Sequence, residues 1–188
     1  ELLVICAADG LTLVGPASTS PIRPEASTSH QCAARNRVVL RAGPTSVSSW
    51  DQNGQQWSAD ITSPIVAGPV MAGDAAVVAT DDGTVVALDR RGAQTWRVDL
   101  ALEVTGLTAT ASVVIASTTA GRLVSIDAMS GSTRWLYPMR APLEHAVCLT
   151  GSLVHAASSD GILYTLDVGT GRPRWAFQLD QTPTVHPV

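Results

Sequence analysis

The sequence contains no lysine: all twelve basic residues are arginine, against sixteen acidic ones, for a formal net charge of -4. Such a chain has no long-range positive field to gather phosphates, which excludes wholesale nucleic-acid binding. Long apolar runs are missing too. Stretches such as residues 1–8 and 113–116 fall far short of the roughly twenty residues a spanning helix needs, so no membrane span is expected in this chain. The three cysteines, Cys6, Cys32 and Cys148, form neither a CxxC nor any other metal spacing. P-loop, nucleophile elbow, zinc signature and Ser-His-Asp order are all absent. The first residues show no Met, basic region or cleavage site, so any signal peptide or lipid anchor is expected upstream of Glu1. Aromatics other than tryptophan are scarce, with one Phe and two Tyr beside five Trp. What is abundant is Ala, Val, Thr, Ser and Gly, a profile of short strands rather than helices. At 188 residues the chain can bury a sizeable core as one compact unit without metals or disulfides.

Internal periodicity organises this material. GTVVALDRRGAQTWRVDL from Gly83, GRLVSIDAMSGSTRWLYPM from Gly121 and GILYTLDVGTGRPRWAFQL from Gly161 align directly. GPTSVSSWDQNGQQWSADI from Gly43 is a weaker copy with two extra residues before its Asp. Trp57, Trp96, Trp135 and Trp175 recur at intervals of 39, 39 and 40 residues, and Asp51, Asp89, Asp127 and Asp167 at 38, 38 and 40. A degenerate fifth copy, LLVICAADGLTLV, opens the chain with Gly10 in the place of Gly161 but without the Asp or the Trp.

Each repeat reads as four short strands. An apolar segment after Pro64, Pro142 or Pro183 leads to an alternating run such as AAVVAT, a DDG or SDG turn and a second alternating run ending in Asp. A turn with Gly92, Gly131 or Gly171 then precedes the strand that carries Trp; these glycines suit a turn position of positive φ. The Asp carboxylates are expected to accept backbone N–H groups in the same turns. A sheet this small cannot bury both faces alone. Successive sheets are therefore expected to stack about an axis, each indole wedging one against the next and burying on the order of 150–250 Å².

The motif A-x-D-x-x-x-G-x-x-x-W at a period of about forty residues resembles the tryptophan-docking motif of pyrroloquinoline-quinone (PQQ) type propeller repeats. The match is closest in SIDAMSGSTRW and TLDVGTGRPRW and one turn residue short in ALDRRGAQTW, and it covers the chain from about residue 43 onward. WD40 repeats, the rival at this period, would need Trp-Asp dipeptides in register, and Trp50-Asp51 is out of place. The resemblance implies an all-β propeller of four-stranded antiparallel blades, one domain over 1–188 with repeats near 1–24, 25–61, 62–100, 101–140 and 141–180. Two ring constructions stay open. Five blades would close if residues 181–188 complete the blade begun at Glu1, which leaves no free edge. Alternatively, the chain is a fragment of a seven- or eight-bladed ring, the size common in the family.

Quinoprotein dehydrogenases with this repeat hold PQQ and calcium at the ring centre and use an Asp base, usually beside a vicinal Cys pair. This chain has no such pair, and each internal Asp belongs to a repeat turn. No cofactor, metal or catalytic residue is therefore expected, and a PQQ-dependent dehydrogenase is the least favoured reading. His145 and His186 stand three residues after Pro142 and Pro183, on first strands that would line the channel. They are candidate contacts for a small ligand, against the simpler account of packed, hydrogen-bonded histidines. Arg35, Arg37 and Arg41 are candidate contacts for an anionic partner, against solvated loop residues. Residues 15–29, rich in Pro, Ser and Thr, read as an exposed loop. If the chain is exported, Cys6 and Cys32 are the expected disulfide pair; three reduced cysteines are the alternative. The repeat type is similar to that of the propeller lipoprotein assisting outer-membrane protein assembly and of sensor domains on bacterial receptor kinases. The expected function is a non-catalytic interaction scaffold, located in the periplasm or cell envelope, with a protein partner and membrane association only through an anchor outside this chain. A sensor propeller binding a small ligand in its channel is the alternative.

Overall fold

The computed structural model describes residues 3–7, 10–14, 21–22, 31–35, 38–143 and 147–179, with side chains for 32–34, 38–143 and 147–179. Every regular element among them is a strand. The first sheet has three strands, β1 (Leu3–Ala7), β2 (Gly10–Val14) and β3 (Pro21–Ile22). The second comprises β4 (Gln31–Arg35), β5 (Val38–Ala42), β6 (Ser46–Asp51) and β7 (Gly54–Asp60). The third comprises β8 (Ile65–Ala72), β9 (Ala75–Thr80), β10 (Thr84–Leu88) and β11 (Gln94–Asp99). The fourth comprises β12 (Val104–Ala109), β13 (Val113–Thr118), β14 (Arg122–Asp127) and β15 (Thr133–Pro138). The fifth comprises β16 (Cys148–Thr150), β17 (Leu153–Ala157), β18 (Ile162–Asp167) and β19 (Pro173–Gln178). All are antiparallel meanders in chain order.

Local chemistry sets the turns. The hydroxyl that ends the second strand of a sheet reaches across to the start of the third: Thr80 Oγ1 donates to the Thr84 carbonyl at 3.0 Å, Thr118 Oγ1 to Arg122 at 3.1 Å and Ser158 Oγ to Ile162 at 3.1 Å. The glycine between them, such as Gly83 at φ 81°, supplies the left-handed residue that the tight reversal needs.

The sheets stack face to face. First strands β4, β8, β12 and β16 are successive neighbours, and β1 approaches β4 as β5 and β9 approach β8 and β12. Three apolar cores fill the gaps between sheets: Leu40 and Val47 with Val78 and Val86; Val77, Ala87 and Trp96 with Val114, Val124 and Ile126; Ile115 and Leu123 with Val154 and Leu166. This is a propeller arrangement, with the first strand of each blade innermost. It also removes the alternation expected of AAVVAT: β9 is buried from Ala76 to Thr80, and β10 and β13 at every residue, because a neighbouring sheet covers each face. The expected closing segment 181–188 and most of the expected loop 15–29 lie outside the described residues.

Candidate functional site

A β-propeller spends its sheet faces on one another, so whatever it binds must meet its turns, its edges or an uncovered face. The motif residues decide which of these remain available.

The indole of Trp96, on β11, is 7 % exposed and donates from Nε1 to the Ala128 carbonyl in the β14–β15 turn at 2.9 Å. Trp135, on β15, repeats the bond one sheet later, to the Val168 carbonyl at 2.9 Å. Under each ring lies the turn glycine. A Cβ on Gly131 would stand 2.8 Å from Trp96 Cδ2, one on Gly171 2.6 Å from Trp135 Cδ2, and one on Gly92 2.8 Å from Trp57 Cε3. Glycine is thus required twice, for a φ between 67° and 80° and for contact with the ring.

The repeat aspartates hold these turns. Asp127 Oδ1 accepts the Met129 and Ser130 N–H groups at 3.0 and 2.9 Å, while Oδ2 takes Arg134 Nε and Nη2 at 3.2 and 2.7 Å. Asp167 does the same with the Gly169 and Thr170 N–H groups at 3.2 and 3.0 Å and Arg174 Nη2 at 2.8 Å. Asp89 accepts from the Arg91 and Ala93 N–H groups at 2.8 and 2.9 Å. Asp51 accepts from the Asn53 N–H and the Gln56 amide at 2.7 and 2.9 Å. The Arg134 guanidinium, then Ser130, holds Asp127 well below the usual carboxylate range, and Arg174, then Thr170, holds Asp167 at about 2. The Ala93 and Arg91 amides depress Asp89. Carboxylates held this acidic are poor general bases at neutral pH. Their chemistry is structural.

A shallow, solvent-open cleft lies where the β7–β8 connection meets the β9–β10 turn, lined by Asp60, Ser63, Thr80, Asp82, Thr84 and Arg97 among others. Asp82 accepts from Thr80 Oγ1 at 2.6 Å, Ser63 Oγ at 2.9 Å and the Thr84 N–H at 3.1 Å, and these bonds, Thr80 first, push its carboxyl far down. Arg97 Nη2 stands 3.8 Å away and bonds Thr84 Oγ1 at 3.3 Å. The charge is internally answered, so the cleft acts as a clasp tying the connection to the turn.

The residues nominated from sequence fare differently. His145, His186 and Arg37 lie outside the described residues. Arg35 stands opposite Val38 and Arg41 opposite Cys32, at the two ends of the β4–β5 hairpin. Cys6 is in β1, its side chain outside the described set, and Cys32 is in β4. Among the described residues, no group of three His, Cys, Asp or Glu is placed to hold a metal.

Sequence reasoning passed over His155. It replaces the aliphatic residue of its row: Val77 and Ile115, both 0 % exposed, sit at the matching places opposite Ala87 and Ser125, whereas His155 sits opposite Thr165. Its Nδ1 is 2.8 Å from Thr165 Oγ1, and its ring lies 6.2 Å from that of Trp175 at 45°. The signal was present in SLVHAASSD set against SVVIASTTA, where His stands for Ile. The exposed large apolar side chains cluster nearby in part: Trp175 at 48 % and Phe177 at 61 % share one face of β19, while Met129 at 88 % and Leu136 at 44 % belong to the preceding sheet.

A family model described as outer membrane protein assembly factor BamB matches residues 15–116 and 81–188. The crystal structure of BamB from Moraxella catarrhalis superposes with a TM-score of 0.70 at 28 % identity, covering 79 % of this chain and 48 % of that one. The computationally designed protein Ika8 superposes with a TM-score of 0.82 at 18 % identity, covering 98 % of this chain and 61 % of its own, a likeness of fold alone. The chain therefore spans about half of the BamB structure and three fifths of the designed one. No curated protein sequence matches it.

Proposed function

The chain belongs to the family described as outer membrane protein assembly factor BamB, and from that membership we propose that it is a non-catalytic protein-interaction propeller of the bacterial cell envelope. The observation that carries this reading is the family match, which runs through both halves of the chain and falls on the sheets whose indole, glycine and aspartate geometry is described above. The chemistry of the site supports it. The repeat carboxylates are committed to turn amides and guanidinium groups, so they serve the scaffold rather than a substrate. The partner is a protein, and it meets the turns. Met129 projects from the β14–β15 turn at 88 % exposure, an adaptable apolar contact held on a rigid reversal. No described helix is long and apolar enough to cross a membrane.

Site-specific photo-crosslinking tests the reading. A photoreactive residue at Met129 is expected to capture proteins of outer-membrane assembly in the envelope, while one at the buried Ile115 is not. Melting of the purified chain with PQQ and calcium is expected to show no shift. A rise of several degrees, with Met129 silent, would replace the scaffold reading by a cofactor-binding one.

A further inference from the structure

β15 is the outer strand of the fourth sheet, bonded to β14 on one side and to no other described strand. Met139, just past it, donates its N–H to the Gly121 carbonyl at 2.7 Å, and in the same register Tyr137 stands opposite Leu123 and Leu136 opposite Val124. Backbone groups alternate along an antiparallel ladder, so Tyr137 and Met139 spend theirs on β14 while Leu136 and Pro138 turn theirs away from the sheet. Side chains alternate with the same period. Leu136 and Pro138 therefore share the face that looks toward the third sheet, where Val124 belongs to the core between the two sheets, and Arg122 stands opposite Pro138 on that face.

The other outer strands carry different residues at these places. Leu136, 44 % exposed, follows the repeat tryptophan, where β7 has Ser58, β11 has Arg97 and β19 has Ala176. Pro138 stands where β7 and β11 have Asp60 and Asp99, and Arg122 where the partner strands of these two have Ser46 and Thr84. Charged and polar side chains on an edge discourage a further strand from pairing with it. β15 has an aliphatic residue in place of that protection, and the charge beside it is reversed. Arg122 is exposed and makes no ion pair among the described residues, while the exposed Arg134, toward the other end of the strand, is bonded to Asp127.

We propose that the β15 edge is a strand-addition site: a short extended segment of a partner protein pairs antiparallel with it, an aliphatic residue beside Leu136 and a carboxylate beside Pro138 and Arg122. Leu136 exchanges both of its free backbone groups with the segment, and Pro138, which has no N–H to give, ends the pairing. Charge selects the occupant. Two copies of β15 pairing about Leu136 would set the Arg122 end of one beside Arg134 of the other, an arrangement that like charge opposes, whereas an acidic segment is attracted. The proposal rests on the protein-interaction reading for the kind of partner, and adds an edge to the turns as a place of contact.

Titration of the isotope-labelled chain with a synthetic peptide of core Glu-Thr-Val-Thr-Glu, followed by NMR, tests it. The Leu136 amide is expected to shift and to exchange more slowly with solvent as the peptide binds. The same peptide with an N-methylated valine keeps every side chain but loses the central N–H, and is expected to bind roughly tenfold or more weakly. A Lys-Thr-Val-Thr-Lys peptide should be weaker still on the wild type and preferred by Arg122→Glu. Leu136→Pro removes only an outward N–H from the backbone and should abolish binding; should it fail to fold, Leu136→Ser, which copies Ser58 of β7, replaces it. No binding at millimolar peptide, equal binding of the N-methylated form, or indifference to peptide charge would overturn the proposal. Crosslinking at Met129 reports separately on the envelope reading. Capture there with a silent peptide removes the edge site alone, and peptide binding with Met129 silent removes the envelope reading alone.

Discussion

Trp96 and Trp175 stand at the same place in the same motif, on the fourth strand of their sheets, yet one is 7 % exposed and the other 48 %. Their own sheets do not explain the difference, because Ala87 and Thr165 face them in equivalent register. What differs is what lies over the ring. Trp96 rests on Gly131 and bonds the Ala128 carbonyl, whereas β19 is exposed along its whole length. The motif therefore encodes half of a junction, and only a neighbouring sheet with a glycine turn turns that half into buried area. Replacing Trp96 by Ala should remove a filled junction and cost about 3–5 kcal/mol. At roughly 2–4 °C per kcal/mol for a domain of this size, melting should fall by about 6–20 °C. Trp175→Ala, followed by the same thermal melting, should cost under about 1 kcal/mol. Equal losses would break the comparison, since Trp175 would then be as buried in solution as Trp96.

The glycine under the ring sharpens the contrast. Gly131 and Gly151 both have left-handed backbones, at φ 73° and 60°, but a Cβ on Gly131 meets Trp96 at 2.8 Å, while nothing lies within 4 Å of one on Gly151. Alanine at Gly151 should cost only the backbone strain, about 1–2 kcal/mol. At Gly131 the same strain is joined by displacement of the indole, adding about 1–3 kcal/mol. Urea titrations of the two variants give the difference directly. If they unfold alike, the ring is not seated where the junction requires.

Much of this was legible in the sequence, for a physical reason: an indole is too large and a positive-φ glycine too particular to recur in register without a shared structural demand. Trp96, Trp135, Gly131 and Gly171 thus announced both the repeat and the turns. The burial of β9 and β10 was less legible, because a strand covered on two faces loses the alternation that marks a strand covered on one. The Asp82 clasp was invisible, since Ser63 and Asp82 are 19 residues apart and only the stacked turns bring them together. His155 was readable only as a departure from the aliphatic row it interrupts. It gained meaning once Trp175 was found beside it.

The aspartates offer a smaller effect and a defined pH window. In the folded chain Asp167 titrates at about 2, below its ordinary 3.8, because Arg174 and Thr170 bond the charged form; Asp127 is depressed likewise by Arg134 and Ser130. A carboxylate depressed on folding stabilises the native state above its unfolded pKa, and that contribution is lost as pH falls through the folded value. Stability from these two groups should therefore be intact above about pH 4 and decline toward pH 2. The double variant Asp127→Asn with Asp167→Asn should start less stable at pH 7 and show a shallower decline across that window. Thermal melts at stepped pH check both parts. An unchanged slope would mean the turn carboxylates are not the acid-sensitive groups.

The smallest effect separates two ion pairs that look alike in the sequence. Arg90 and Asp74 form a contact with side chains 74 % and 66 % exposed, while Arg134 and Asp127 are 33 % and 25 % exposed and share their bond with the turn amides. An exposed pair exchanges one set of water contacts for another and gives up side-chain freedom, so Arg90→Ala should change stability by less than about 0.5 kcal/mol. Arg134 gives Asp127 two hydrogen bonds, and the same carboxylate holds the turn that seats Trp96. Its removal should therefore loosen the junction as well as the pair. Arg134→Ala should lower the melting temperature measurably and raise the fluorescence accessibility of Trp96 to a neutral quencher, whereas Arg90→Ala should leave both unchanged. A quenching response to Arg90→Ala would mean that the two turns are coupled and that the junctions are not independent along the chain.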